Sequence, residues 1–284
     1  MKTHVAIIAV LCTLYFSLIF PFAAYLKNRP FVEKLGYIPQ ADVMRLVTAD
    51  QKQLVGEALI LRTLMYFGGV INQIVVNRVQ VSADLPGMKN SIESAVKLDP
   101  YNMDCYYFTQ AVMVWDMKQV KEANALLEYG MKYRSWDWYL PFFLGFNYSY
   151  ILKDYADAAK YYERVGQLTG NELSINLAGR YMYEAGQTDQ AIAYLTAMVK
   201  TATNSSIKKS FETRLDAFRK VKLIEIARDT YRKKYRKLPT SINSLLTSGL
   251  LHQAPHDPYG GVFYLDEKGQ VRTTSKFAYP VKKQ

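Results

Sequence analysis

Residues 175–198 read INLAGRYMYEAGQTDQAIAYLTAM, which resolves into Ile175-x2-Ala178-Gly179-x2-Met182 followed by Ala191-x3-Leu195-x2-Met198. Spacings of three and four mark one face of a helix, and here they occur twice, separated by Gly186-Gln187-Thr188-Asp189. Ala178, Gly179 and Ala191 fall where two helices must approach closely, and the large apolar residues around them fill the remaining space. Gly186 suits the left-handed residue that ends a helix, and Thr188 or Asp189 can cap the next one. The same pattern precedes it, as Leu144-Gly145-x2-Tyr148 and Ala158-x3-Tyr162-x2-Val165 around a break at Lys153-Asp154. A fainter copy has Tyr106 and Met113, then Ala123-x3-Leu127, after Asp99-Pro100. The second-helix alanines Ala123, Ala158 and Ala191 are 35 and 33 residues apart. The chain is therefore expected to be a helical-repeat protein. Two copies carry 13 rather than 12 residues from the glycine-equivalent position to that alanine (Gln110 to Ala123, Gly145 to Ala158). Their first helix, or its turn, is expected to be one residue longer.

This period and residue pattern resemble the tetratricopeptide repeat, a helix–turn–helix unit. The resemblance implies an all-α superhelix whose concave face binds other proteins instead of carrying out chemistry. In that family the first helix of each unit lines the groove, chiefly at unit positions 2, 5, 9 and 12. Carried onto this chain, the resemblance nominates Tyr107 and Ala111, then Phe142, Phe146 and Ser149, then Asn176, Arg180 and Tyr183. Asn176 and Arg180, one turn apart, would hold the backbone or carboxylate of a protein or peptide partner. Pairing of Arg180 with Glu184 at i+4 competes with that role, and packing between repeats competes for the aromatic residues.

Val5 to Leu26 contains no charge over 22 residues, and as a helix at about 1.5 Å per residue it reaches roughly 33 Å, the thickness of a bilayer core. An N-terminal transmembrane helix over 1–28 is the expectation, with Tyr25 an interface anchor. A cleaved signal peptide would need small residues at both −3 and −1, but cutting after Ala24 or Ala23 puts Phe22 or Pro21 at −3. Counting Lys27, Arg29 and Lys34 against Lys2 places the body in the cytoplasm. A short basic start before a single apolar span is instead the layout of an export anchor. A single-pass protein of a bacterial-type inner (plasma) membrane, its body outside the cytoplasm, is the reading adopted. Cys12 and Cys105 suit neither a disulfide nor a metal site.

Residues 29–50 read as a linker leading into a helix near Ala41–Leu46. A degenerate capping repeat is expected over 51–100. There Leu54, Ala58, Leu61, Leu64 and Met65 recur at helical spacing, Gly68-Gly69 punctuates, and 70–82 is ambiguous. A second helix follows from Pro86 to Leu98, with Met88, Ile92 and Ala95 on one face. The repeats occupy 101–200. Residues 200–237 hold 13 Lys or Arg against four acids, a net +9 of the chain's +11. They predict a basic amphipathic closing helix with Ile207, Phe211, Leu215, Phe218, Ile224, Tyr231 and Tyr235 along one stripe. Its basic side is either solvated or drawn to anionic lipid headgroups. Nucleic acid is not expected, because no binding motif accompanies the charge.

Residues 238–284 change character. Leu238-Pro239-Thr240-Ser241 opens a short capped helix through Leu245, Leu246, Gly249 and Leu250. Pro255-x-Asp257-Pro258-Tyr259-Gly260-Gly261 then leads to a β pair, Val262–Leu265 and Gln270–Thr274, around a turn at Asp266–Gly269. Residues 222–275 resemble the C-terminal head of the type II secretion major pseudopilin. That likeness implies a small α+β appendage and an alternative role, as a structural or assembly component of a secretion or surface-fibre apparatus. The pseudopilin's own processing site and glutamate are absent from residues 1–26, so a filament subunit is not implied. It also suggests Asp257 with Asp266 or Glu267 as oxygen ligands for calcium, beside plain turn roles.

No catalytic constellation emerges. Only His4, His252 and His256 are present, and Pro255 keeps the last two off a common helical face. Gly260-Gly261 lacks the flanking residues of a phosphate loop, and no Ser or Thr has a partner histidine in a recognisable pattern. The chain is read as neither an enzyme nor a cofactor or metal protein. The function expected is a membrane-anchored scaffold that recruits or assembles partner proteins.

Overall fold

The structure, a computed structural model, describes residues 2–28, 31–76 and 81–278. Of these, 72% are helical and 4% lie in strands. The chain divides into two compact units, Met1–Leu126 and Leu127–Gln284.

The first unit opens with α1, Lys2–Asn28, one helix over the whole charge-free run and continuous through Pro21. Arg29 lies outside the described residues, as do the side chains of Lys2 and Lys27. The expected linker contains a strand, β1 (Phe31–Glu33), which pairs in parallel with β2 (Val81–Ala83). Three residues are too few for alternation to reveal a strand in sequence. Residues 77–80 of the ambiguous stretch lie outside the described residues. Between the strands, α2 (Ala41–Thr48) and α3 (Lys52–Val75) are joined by a short 3-10 turn at Ala49–Gln51, with Ala49 at φ 44°.

Two sequence expectations fail at α3. Gly68-Gly69 does not end the helix, which continues to Val75. The face marked by Leu54, Ala58, Leu61, Leu64 and Met65 is exposed, whereas Gly56, Leu59, Ile60, Thr63 and Val70 are buried. The partner decides the orientation. Across α4 (Leu85–Leu98), Ser91 and Thr63 share a buried hydrogen bond of 2.6 Å, and Met88, Ile92 and Ala95 are fully buried. An unpaired hydroxyl there would cost about 1–3 kcal/mol, so the Thr63 side turns inward although it is the less apolar one. Asp84 caps α4 by accepting from the Gly87 N–H.

Then come α5 (Met103–Phe108), running on as a π-helix over Thr109–Asp116, and α6 (Val120–Tyr133), within which the two units meet at Leu126 and Leu127. In the second unit, α7 (Tyr139–Phe146) also runs on as a π-helix, Asn147–Leu152. The helices α8 (Tyr155–Thr169), α9 (Glu172–Glu184), α10 (Thr188–Thr201) and α11 (Ser205–Tyr235) follow, each packing on its predecessor. The two π segments fall in the two copies with one extra residue, and α9, whose copy has none, ends without one. A π-turn absorbs an inserted residue inside a helix without breaking it. Ala123, Ala158 and Ala191 are fully buried.

Capping follows sequence closely. Asp154, Asn171 and Asn204 accept from backbone N–H groups at the starts of α8, α9 and α11, and Gly186 is left-handed at φ 77°. The start of α10 is the exception. Gln187 occupies the cap with no side-chain bond, and the Thr188 hydroxyl instead donates to Glu225 at 2.9 Å.

A short helix, α12 (Ile242–Thr247), and an antiparallel hairpin, β3 (Phe263–Leu265) with β4 (Val271–Thr273), complete the described chain. These elements share one core with α9, α10 and α11. Tyr183, Phe218, Tyr259 and Phe277 meet ring to ring at 5.0–6.3 Å, and Leu245, Phe263 and Val271 are buried with them.

Candidate partner-binding site

The nominated face is best assembled at its C-terminal end. Asn176 and Arg180 lie on α9, one turn apart, and both are partly buried. The Asn176 side-chain amide donates to the Ser210 hydroxyl on α11 at 3.2 Å. Arg180 lies near enough to Arg214, also on α11, for the two charges to repel. In both pairs the residues are 34 apart in sequence. Equivalent positions on α9 and α11 therefore face one another, and α11 continues the spacing of the earlier copies.

The electrostatics of this corner are unusual. Burial lowers the Arg214 pKa from its ordinary value, and Arg180 lowers it further against the pull of Tyr259. The Arg214 guanidinium donates to the Phe277 carbonyl at 3.0 Å and lies over the Tyr259 ring, 5.6 Å from its centre. The Nε atoms of both arginines are buried without a hydrogen-bond partner, and so is Asn176 Oδ1. Neither guanidinium makes an ion pair among the described residues. Glu184, the sequence's alternative partner for Arg180, is bound by Arg272 of β4. Two adjoining cations without an ion pair among the described residues carry a net field that favours an anion, and Arg forks suit carboxylate or phosphate.

The other nominated residues divide. Phe142 packs edge-on against Trp138 and Tyr162, each at 6.0 Å, within a ring series that Tyr162 continues to Tyr181 at 5.5 Å. Phe146 is partly exposed and stacks on Tyr150 at 5.3 Å. Ser149 is buried, its hydroxyl donating to the Phe146 carbonyl at 3.2 Å. Tyr183 is also buried, and its hydroxyl donates to the Val271 carbonyl in the hairpin. Ser149 and Tyr183 therefore serve the interior. Tyr107 and Ala111 are exposed and belong to the first unit. Ser210 and Arg214 went unnoticed in sequence, although adding 34 to Asn176 and Arg180 points straight at them.

Around the hairpin of the second unit, several charged groups are matched within the protein. A hollow of about 300 Å³ is lined by Tyr183, Lys222, Glu225, Arg228 and Arg272. Lys222 pairs with Asp189 at 2.6 Å, and Arg228 donates to the Gly269 carbonyl at 3.0 Å. Asp257, fully buried, accepts from Ser275 Oγ at 2.6 Å, from the Tyr259 N–H at 2.9 Å and from Thr273. Asp266 accepts from the Lys268 and Gln270 N–H groups and from Arg272. Of the oxygens suggested for calcium, those of Asp257 and Asp266 are thus turned to protein donors, while Glu267 is exposed. Among the described residues no three His, Cys, Asp or Glu side chains gather as a metal site. Comparison with protein-family models, with curated proteins and with solved structures finds no match for this chain.

Proposed function

We propose that this protein is a membrane-anchored, tetratricopeptide-like scaffold that holds an acidic segment of a partner protein against α9 and α11. The observation that carries the reading is the pairing of Asn176 with Ser210 and of Arg180 with Arg214, each across 34 residues. A repeating interval in sequence that returns as a repeating neighbour in space is what stacked helical units produce. The unmatched arginines make the face basic, and Phe146 adds an apolar contact 34 residues before Arg180. The anchor is α1, whose described side chains between Ile7 and Tyr25 carry no charge and are largely exposed. A chain that carries both an anchor and a binding face would concentrate its partner at the bilayer surface.

A photo-crosslinking residue placed at Phe146 or at Arg180 in the full-length protein, in native membranes, tests this. A discrete adduct is expected from both positions and not from Lys160 on α8, and Arg214→Glu should abolish it. Equal adducts from all three positions, or none while the protein stays in the membrane fraction, would overturn the scaffold. The second reading, a secretion-apparatus component, would place the contact on the hairpin; adducts from Tyr264 alone would favour it.

A further inference from the structure

The exposed stripe of α3 is the largest apolar feature that the scaffold reading leaves unused. Leu54, Leu61, Met65 and Val75 follow one another at helical spacing and are 55–70% exposed. Ala58, Gly68 and Gly69 continue the same strip, which Asn72 interrupts near its end and Glu57 borders. Just before it, Leu46 and Val47 of α2 are 86% and 80% exposed. Single exposed apolar residues are ordinary, but a contiguous strip signals a partner.

The chain's own connections say what that partner is. Five residues separate the end of α1 from Glu33, a reach of at most about 18 Å. Glu33 and its neighbours are fastened along α3. The Tyr66 hydroxyl donates to the Glu33 carbonyl, Gln73 Nε2 to the Glu33 carboxylate at 3.0 Å, and Arg62 to the Leu35 carbonyl at 2.5 Å. Wherever the apolar α1 enters a bilayer, α3 is held at that bilayer's surface. The stretch Ala41–Val75 is long and apolar enough to cross a membrane, with only 28% of its most apolar window buried. Crossing is opposed by the break at Ala49 and by Glu57 and Arg62, both exposed on α3. A helix whose one side is packed on its own protein and whose other side exposes apolar residues can bury that exposed side at the interface.

We infer that the Leu54–Met65–Val75 face of α3 rests in the lipid headgroup and acyl boundary as a second membrane contact, fixing how the first unit sits on the bilayer. This rests on the reading of α1 as the anchor. The test uses the full-length protein in phosphatidylcholine and phosphatidylglycerol vesicles. Leu18→Cys, Met65→Cys, Val75→Cys and Lys121→Cys, made one at a time in a Cys12→Ser, Cys105→Ala background, carry an environment-sensitive fluorophore. For a face buried about 5–10 Å, a lipid nitroxide on an upper acyl carbon should remove roughly half or more of the emission at Met65 and Val75. Leu18, in α1, should be quenched too, and Lys121, exposed on the first unit, should not. Quenching at Leu18 without quenching at Met65 and Val75 overturns the second contact and leaves the anchor standing. Failure at all of these positions removes both. Blue-shifted but unquenched emission at Met65 would show that protein covers the face, a second copy or α1 itself, and would also overturn the inference.

Discussion

Arg272, in the second strand of the hairpin, reaches back across 88 residues to form an ion pair with Glu184 at the end of α9. Both side chains are about a quarter exposed, at 27% and 21%, and Arg272 also lies over the Tyr183 ring, 5.7 Å from its centre. The pair closes the rim of a joint whose interior is the Tyr183, Phe218, Tyr259 and Phe277 cluster. The hairpin is therefore part of the second unit's core, and not a head on a stalk.

That arrangement puts Leu245, Tyr259, Phe263, Val271 and Phe277 into the core of the second unit. Truncation after Lys237 should uncover Phe218 and Tyr183 and lower the melting temperature of the second unit. Within the intact chain, a double-mutant cycle on Glu184→Gln and Arg272→Met should return a coupling of about 1 kcal/mol. Circular dichroism melts check both, and an unchanged melt of the truncated chain would show that the shared core contributes nothing.

Two glycines chosen by the repeat pattern should behave differently. A Cβ at Gly145 would meet the Tyr162 ring at 3.0 Å, and that ring is confined between Phe142 and Tyr181. A Cβ at Gly179 would meet the Leu195 side chain at 3.3 Å, where a small rotation relieves it. Alanine in a helix gains up to about 1 kcal/mol over glycine. Gly179→Ala is thus expected to be neutral or stabilising, whereas Gly145→Ala should cost about 1–3 kcal/mol through overpacking. Denaturant midpoints measured side by side decide it, and equal effects would refute the contrast.

Glu225 supplies a pH signature. Burial raises its carboxyl above the ordinary value of 4.5, against the lowering effects of the Thr188 hydroxyl, Arg228 and Lys222. The unfolded chain gives up this proton at lower pH than the folded protein does. The stability linked to the protonated form is therefore complete below 4.5 and lost as pH rises through the folded-state value. Glu225→Gln keeps an acceptor for Thr188 and removes the charge. Its melting temperature should exceed that of the parent at about pH 7, with the gap closing toward pH 4. A gap independent of pH would assign the effect to packing instead.

Much of the helical order was legible because it rests on local rules. Periodicity marked the surroundings of Ala123, Ala158 and Ala191, and all three are buried. The break at Lys153-Asp154 fell at a helix start, Gly186 at a stop and Asp266–Gly269 at a hairpin turn, whereas neither Thr188 nor Asp189 became the cap of α10. Of the nominated face, Asn176 bonds Ser210 of α11 and Arg180 lies near Arg214, while Tyr183 and Ser149 are interior, because a position rule cannot tell which positions a following element will cover. The one-residue surplus was visible in the first two copies, but its form, a π segment and not a longer turn, was not.

By itself, the sequence determined that the chain is mostly helical and where several of its helices break, since glycine stops and the 3.6-residue period act within a few residues of chain. Only the tertiary structure decided which side of α3 faces inward, that Phe31–Glu33 pairs with Val81–Ala83, and that Arg272 claims Glu184 and leaves Arg180 beside Arg214. Each of those outcomes is a competition between partners tens of residues apart, settled by who can satisfy a buried hydroxyl, a strand edge or a charge. No window of neighbouring residues contains that contest.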